Sequence, residues 1–319
     1  MRKTPIEPAA PRRATVATGF PRSTFPPAAD AIIDVTVGGA SHTGLVRTNN
    51  EDHFVAIRRT RSRQILATNI DIGGLNLSSQ HAYVLIVADG VGGHKYGELA
   101  SELVLRSGWE AGGRDPNWIM KFDKSQWSWI CEQVDIYAHE IQKTLREQAV
   151  AHPECDRMAT TWTCACLLDA EAVIAYVGDS RAYLFRNGVV RQLTRDQTLA
   201  QEMQDRGMPA EHAARFQNTL TNAFGGDEEE VFVEVKHVSL MDGDRLLLCT
   251  DGLTNLVSDA EIASKLAASP VPQAACDQLI DLALLQGGTD NITVVVAEFH
   301  SKPGAGTGDG PRLDNNERP

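Results

Sequence analysis

The chain contains no long apolar run. Its strongest hydrophobic stretch, residues 83–88, is far shorter than the roughly 20 residues that a membrane-spanning helix requires, so no transmembrane segment is expected. The N-terminus opens with Arg2 and Lys3 but continues through Pro5, Pro8, Pro11, Arg12 and Arg13 without an apolar core. That pattern argues against a secretory leader and makes the cytoplasm the expected compartment. Cysteine is sparse: six residues, none in a C-x-x-C pair, fit small buried side chains better than a disulfide framework or a zinc site. Bases are in deficit, with 30 Lys and Arg against 42 Asp and Glu, and the resulting charge of −12 is unsuited to coating nucleic acid or anionic lipid. The G-x-x-x-x-G-K-[ST] loop of nucleotide hydrolases is missing, and Asp242-Gly243-Asp244 lacks the ladder and closing Glu of an EF-hand. No repeat of solenoid period is present.

What is present is an ordinary globular mix over 319 residues, 42% hydrophobic and 23% charged, enough for a sizeable core. Residues 1–30, rich in Pro, Ala and Arg, and residues 301–319, nearly without apolar side chains, are expected to be flexible tails. Between them lies one expected domain, residues 31–300. Within it, β-type runs recur at 32–37, 54–57, 82–87, 162–168, 172–177, 231–238, 245–249 and 292–298. Helical spacing links Ile130, Val134, Tyr137, Ile141 and Leu145, and again Ala275, Leu279 and Leu282 before Gly287 and Gly288. Ser258 followed by Glu261 forms a capping box for a further helix. Strands come in consecutive pairs rather than in strict alternation with helices, so antiparallel sheets covered by a few long helices, an α+β layered domain, are predicted.

Three apolar strands end in the same way, in Asp89-Gly90, Asp179-Ser180 and Asp251-Gly252, and a fourth begins just after Asp290-Asn291. A single Asp-Gly is most simply a turn. Four acids at strand mouths, joined by Asn50-Glu51-Asp52 after a glycine-containing loop, instead suggest carboxylates placed around one opening. Converging carboxylates repel, and a cation relieves them more readily than protonation does. All-oxygen ligation without matched His or Cys favours hard ions such as Mg²⁺ or Mn²⁺, and pairs of such ions typically serve phosphate-ester hydrolysis. Arg47, three residues before Asn50, offers either a fork of donors to a phosphoryl group or an ordinary surface ion pair.

Five motifs stand in order: S-H-T-G-L-V-R-T-N-N-E-D-H-F, V-A-D-G-V-G-G-H-K-Y-G-E-L-A-S, V-G-D-S-R-A-Y-L-F-R-N-G, L-L-L-C-T-D-G-L-T-N and G-G-T-D-N-I-T-V-V-V. In this order the chain resembles the metal-dependent serine/threonine protein phosphatases of the type 2C family, in its bacterial form, over residues 34–299. The resemblance implies a four-layer αββα sandwich of two antiparallel β-sheets flanked by helices, with a binuclear Mg²⁺/Mn²⁺ centre at one edge. It implies that Asp89 bridges both ions and orients the nucleophilic water, that the Gly90 carbonyl binds one ion, and that Asp251 and Asp290 bind the other. Glu51 and Asp52 would hold metal-bound waters or complete the shell, Arg47 would bind phosphate, and Asp179 matches a position that helps hold a third, weaker ion. A turn acid ordering its loop is the plainer role for Asp179, and Asn291 is expected to support the ligands rather than join them.

The implied activity is hydrolysis of phosphoserine and phosphothreonine in proteins by a metal-activated hydroxide. Implied partners are phosphorylated targets of a Ser/Thr kinase and the kinase itself, for a chain acting as a monomer without nucleic acid. A silent relative serving as a binding module, and a phosphatase for small metabolites, are the alternatives, although the metal acids that silent relatives usually lose all stand here.

Two departures qualify the match. Val91 occupies the position where many eukaryotic relatives carry a proposed general-acid His, and His94, three residues on, is expected to pack or cap locally. The lid region, about 195–226, reads L-T-R-D-Gln197-Thr198 where relatives more often read D-H-S, with Gly207, Gly225 and Gly226 as expected flexible points. Segments 58–81 and 111–128 are longer than the minimal family plan, and Trp118, Trp127 and Trp129 in or beside the second are expected either in the core or on a partner-facing patch.

Overall fold

The computed structural model describes residues 32–62, 64–67, 80–91, 96–114, 124–227 and 230–302. The expected N-terminal tail, residues 303–319, His94, Trp118 and much of the two long segments therefore lie outside the described residues, whereas Ser301 and Lys302, expected in the C-terminal tail, complete a strand by pairing with Ile33 and Ile32. In chain order the strands are β1 (Ile32–His42), β2 (Asp52–Arg61), β3 (Gln80–Val91), β4 (Ala159–Thr160), β5 (Trp162–Leu168) and β6 (Glu171–Val177). They continue as β7 (Arg181–Arg186), β8 (Val189–Gln192), β9 (Phe224–Gly225), β10 (Glu234–Ser239), β11 (Arg245–Cys249) and β12 (Ile292–Lys302). The helices are α1 (Gly97–Arg114), α2 (Trp127–Ala151), α3 (Leu199–Asp205), α4 (Ala210–Ala213), α5 (Asp251–Thr254), α6 (Asp259–Ala268) and α7 (Pro272–Leu285).

Two antiparallel sheets form. One runs β1-β12-β11-β7-β8; the other runs β10-β6-β5-β3-β4-β9, with β2 also paired to β3. The expected α+β fold is thus present, and three apolar clusters show how its layers stack. Leu85, Val87, Ile174, Tyr176, Leu246, Leu248 and Val295 interlock between the sheets. Val84, Ile86, Val104, Ile130, Ile141 and Leu145 join the second sheet to α1 and α2. Leu247, Leu253, Ile262, Leu279 and Val294 join the first to α5, α6 and α7. Alternate residues of β3 serve different layers, which is why 82–88 is apolar throughout rather than alternating.

Local sequence explains most boundaries. Both halves of the capping box at Ser258 and Glu261 are formed, and Pro272 sits in the first turn of α7, where its missing N–H costs no helical bond. The run 231–238 departs from expectation, because the strand begins only at Glu234. Asn222 donates to the Phe232 carbonyl and accepts from the Phe232 N–H, so that stretch of backbone is held by a side chain instead of a ladder. Gly225 is no flexible point either: it is buried in β9, and Gln142 bonds both its N–H and its C=O. Trp127 packs into the core beside His237, whereas Trp129 is partly exposed. All six cysteines are free.

Candidate metal centre

The acids gather where strand ends of both sheets meet. Asp52 opens β2 and stands directly opposite Asp89 of β3 in the ladder register. Like charges so placed are destabilising in a sheet. From the other sheet, Asp251 is the first residue of α5, immediately after β11 and Thr250, and Asp290 lies in the turn before β12. Asp179 follows β6 in the turn leading to β7. Close backbone contact locks the two halves together: a β-carbon on Gly252 would lie 1.9 Å from the Asn291 carbonyl oxygen, so glycine is required for α5 to seat against this turn.

Hydrogen bonds hold most of these acids in place. The Thr161 hydroxyl accepts from the Asp89 N–H (3.0 Å), the Thr161 N–H donates to the Asp89 carbonyl (2.9 Å), and the Thr160 hydroxyl donates to that carbonyl too (2.8 Å). Thr250 Oγ1 donates to Asp52 Oδ2 at 2.8 Å while accepting from the Thr293 N–H at 3.0 Å. Asn255 Nδ2 donates to Asp251 Oδ2 at 3.0 Å. Asn291 is buried, donating from Nδ2 to the carbonyls of Thr43 and Asn49 and accepting from the Glu51 N–H, so one amide fastens the whole 43–51 loop to the β12 turn. The Ser101 hydroxyl of α1 donates to the Glu51 carbonyl at 2.6 Å. At the rim, Arg47 Nη2 donates to Asp290 Oδ2 at 2.8 Å and remains about half exposed.

The electrostatics are those of crowded anions. Burial, followed by the charges of Asp251 and Asp290, raises Asp52 from 3.8 to about 7. Asp89 is raised well above the ordinary carboxylate range, first by burial and then by Asp52, Asp251, Asp179 and Asp290. Asp179 is raised well above that range by burial, then by Asp251 and Asp196; Asp251 is raised by burial and then by Asp290. Arg47 is raised chiefly by its hydrogen bond to Asp290, with further contributions from the charges of Asp290, Glu51 and Asp89.

These residues fit a hard divalent cation on two grounds. Asp52 Oδ1 is buried and has no hydrogen-bond partner, an orphaned anionic oxygen that a cation or its water would satisfy. The donor set is entirely oxygen, the chemistry of Mg²⁺ and Mn²⁺ rather than of Zn²⁺. Among the described residues no three His, Cys, Asp or Glu side chains are drawn into a closed cage.

All eight residues singled out in the sequence, Arg47, Glu51, Asp52, Asp89, Gly90, Asp179, Asp251 and Asp290, lie on the segments that border this region. Glu51 reaches in far enough that its Oε2 would be 2.5 Å from a β-carbon on Gly97, and its carbonyl accepts from the Gly90 N–H at 3.2 Å. Arg47 makes the ion pair that was one of its two expected roles. Sequence reasoning missed Thr161, which lies in none of the five motifs, and Thr250 and Ser101, which stand within two of them without a sign of their role. Asn255, four residues after Asp251 and at the C-cap of the same short helix, was detectable from spacing.

A family model described as Protein phosphatase 2C matches residues 71–278. The Serine/threonine phosphatase stp of Listeria innocua is 34% identical over 243 residues, covering 75% of this chain and 94% of that one. The crystal structure of the Mycobacterium tuberculosis serine/threonine phosphatase PstP/Ppp superposes with a TM-score of 0.66 at 30% identity, over 84% of this chain and 99% of that one. The catalytic domain of PstP in complex with two manganese ions superposes with a TM-score of 0.65 at 29% identity, over 84% and 100% of the respective chains.

Proposed function

The chain belongs to the protein phosphatase 2C family, and from that premise we infer that it removes phosphate from phosphoserine and phosphothreonine in proteins, using Mn²⁺ or Mg²⁺. The observation that carries the reading is the pairing of Asp52 with Asp89 across the β2–β3 ladder, with three more acids felt at the same buried carboxyl. Natural sheets avoid opposed like charges unless something neutralises them. Asp89, the Gly90 carbonyl, Asp251 and Asp290 would hold the ions, Glu51 and Asp52 would complete their surroundings, and Asp179 would serve a further, weaker ion. When bound, such ions supply Lewis acidity that lowers the pKa of an attacking water and neutralises phosphoryl oxygens.

The chain's own residues do the remaining work. Thr161, Thr250 and Asn255 fix Asp89, Asp52 and Asp251, so little reorganisation is needed as charge develops in the transition state. Arg47, exposed at the rim and always protonated, would offer its guanidinium fork to the phosphoryl oxygens. Its pairing with Asp290 keeps the guanidinium beside one of the proposed ligands. The catalytic domain is taken as residues 31–300, with 195–226 as its lid.

The substrates are proposed to be targets of a Ser/Thr kinase, the kinase itself included, and the enzyme to act as a monomer in the cytoplasm. Six free thiols suit a reducing compartment, and no helix among the described residues is long and apolar enough to cross a membrane. The test is release of phosphate from a phosphothreonine peptide with Mn²⁺, its loss with a chelator, and a drop of at least about 10³-fold in Asp251→Asn with the circular dichroism spectrum retained. Turnover that is independent of divalent ions refutes the mechanism; a small phosphate ester preferred over peptides refutes the protein substrate.

A further inference from the structure

Gln197 stands where the lid begins, and its contacts are unusual for a lid residue. Its Oε1 accepts from the Gly178 N–H at 2.7 Å and from Asn222 Nδ2 at 2.8 Å. Its own N–H donates to the Gly178 carbonyl at 3.1 Å, and its carbonyl accepts from the Thr221 N–H at 2.9 Å. One residue thus bonds both strands of the lid neck and the turn that carries Asp179.

The neck is reinforced on either side. Thr198 pairs with Leu220 in a single bridge, the Leu199 N–H donates to the Thr219 carbonyl at 2.8 Å, and the Thr198 hydroxyl caps α3 by accepting from the Gln201 N–H. Asn222 in turn donates to the Phe232 carbonyl at 2.6 Å. Beyond the neck the lid makes its own contacts: α3, α4 and the turn after them pack mainly on one another.

Gly178 leads directly into the metal-centre scaffold. It has φ +98°, and a β-carbon there would come within 2.7 Å of Thr161 Cγ2, so the turn lies against Thr161. Thr161 Oγ1 is 2.8 Å from Ser180 Oγ, and the same hydroxyl accepts from the Asp89 N–H. A continuous path of close contacts therefore runs from the lid neck through Gln197, Gly178 and Thr161 to Asp89.

We propose that Gln197 is a positioning residue that fixes the lid against the Gly178–Asp179 turn, and that this placement sets how firmly a phosphopeptide is held. The proposal rests on the phosphatase reading for its substrate, but the anchor itself is a property of the folded chain. The side-chain oxygen of Gln197 is the essential atom, since two donors converge on it. A glutamate keeps that oxygen and can accept from both donors; an alanine keeps neither contact. The Asn222 side chain supplies one of the two donors, so Asn222→Ala removes the lid-side bond, together with the two bonds to Phe232, while leaving the bond to Gly178.

The experiment uses the full chain in Gln197→Ala, Gln197→Glu and Asn222→Ala forms. Tryptic cleavage after Arg206 and Arg215, followed by mass spectrometry, reads lid opening without reference to activity. Loss of two ordinary hydrogen bonds predicts cleavage about tenfold faster or more in Gln197→Ala, a smaller increase in Asn222→Ala, and near-normal protection in Gln197→Glu. With a phosphothreonine peptide and Mn²⁺, Gln197→Ala is expected to raise KM about 3- to 10-fold while kcat changes less than about threefold, the pattern of lost uniform binding. Unchanged cleavage in Gln197→Ala overturns the anchor, as does a failure of Gln197→Glu to restore protection. Faster cleavage with unchanged peptide KM overturns the link to substrate holding. If the wild type turns over no phosphopeptide at all, the phosphatase reading fails while the cleavage series still decides the anchor. Should Gln197→Ala unfold, Gln197→Glu decides it: near-normal protection supports the anchor, because the accepting oxygen is kept, and cleavage as fast as in Asn222→Ala overturns it.

Discussion

Replacing Asp52 by Asn removes one negative charge from the buried cluster, and without divalent metal that change should stabilise the fold. Asp52 is 4% exposed, and its carboxyl is lifted from 3.8 to about 7 in the folded protein by burial and neighbouring acids. A raised acid favours the folded state while it stays protonated, so the penalty is absent below the unfolded value and complete above the folded one. Over a window of about three pH units, at ~1.4 kcal/mol per unit, the penalty reaches at most about 4 kcal/mol at pH 8. Part of that belongs to the neighbours with which Asp52 titrates, and an asparagine keeps an oxygen for the Thr250 hydroxyl, so a net gain of about 1–3 kcal/mol is expected. For a domain of this size that is roughly 2–10 °C in Tm.

Thermal unfolding followed by circular dichroism, in chelator at pH 4.5 and at pH 8, is the assay. The variant should exceed wild type at pH 8, and the difference should shrink as the pH falls through 7 towards 4. Adding Mn²⁺ should reverse the order, because the wild type gains ligand-linked stability that the variant lacks in part. An Asp52→Asn protein no more stable than wild type in chelator at pH 8, or one equally favoured at both pH values, would refute the account of the site as a charge cluster awaiting cations.

Three further outcomes are expected. Arg47→Ala should raise KM for a phosphopeptide about tenfold or more, with Arg47→Lys recovering only part of it because a point charge lacks the planar fork; steady-state kinetics at fixed Mn²⁺ will show this, and an unchanged KM would remove Arg47 from substrate binding. Asn291→Ala deletes three hydrogen bonds that fasten the 43–51 loop and should cost about 2–4 kcal/mol in urea unfolding, where a loss under ~1 kcal/mol would show that the loop holds itself. Gly252→Ala places a β-carbon against the Asn291 carbonyl and should cost more than about 2 kcal/mol while separating Asp251 from Asp290; an undisturbed Tm would mean that α5 can shift freely.

Much of this protein was legible from the order of its residues. The run 82–87 and the paired runs 162–168 and 172–177 announced strands because β-branched and aromatic residues cluster there between turn-forming ones. The capping box at Ser258 marked a helix start because its two hydrogen bonds are local. Asp89, Asp251 and Asp290 could be picked out because each stands at the end of an apolar strand, a position defined within about ten residues of chain. The five motifs in order then identified the family.

Other features depended on partners distant in sequence. Thr161 lies outside the five motifs and Thr250 stands inside one without any mark of its role, yet they hold Asp89 and Asp52 across separations of 72 and 198 residues. The strand expected from Val231 begins only at Glu234 because Asn222, ten residues earlier, holds the Phe232 backbone. Gly225 looked like a hinge in the sequence and is pinned by Gln142, 83 residues away. The sequence by itself determined which segments are strands and helices and which acids stand at their ends, since propensity, capping and periodicity act over a few residues. Only the tertiary structure decided that Asp52 faces Asp89, that Arg47 pairs with Asp290, and that Gln197 ties the lid to the Asp179 turn, because register and side-chain partnership arise when distant strands come to share one core.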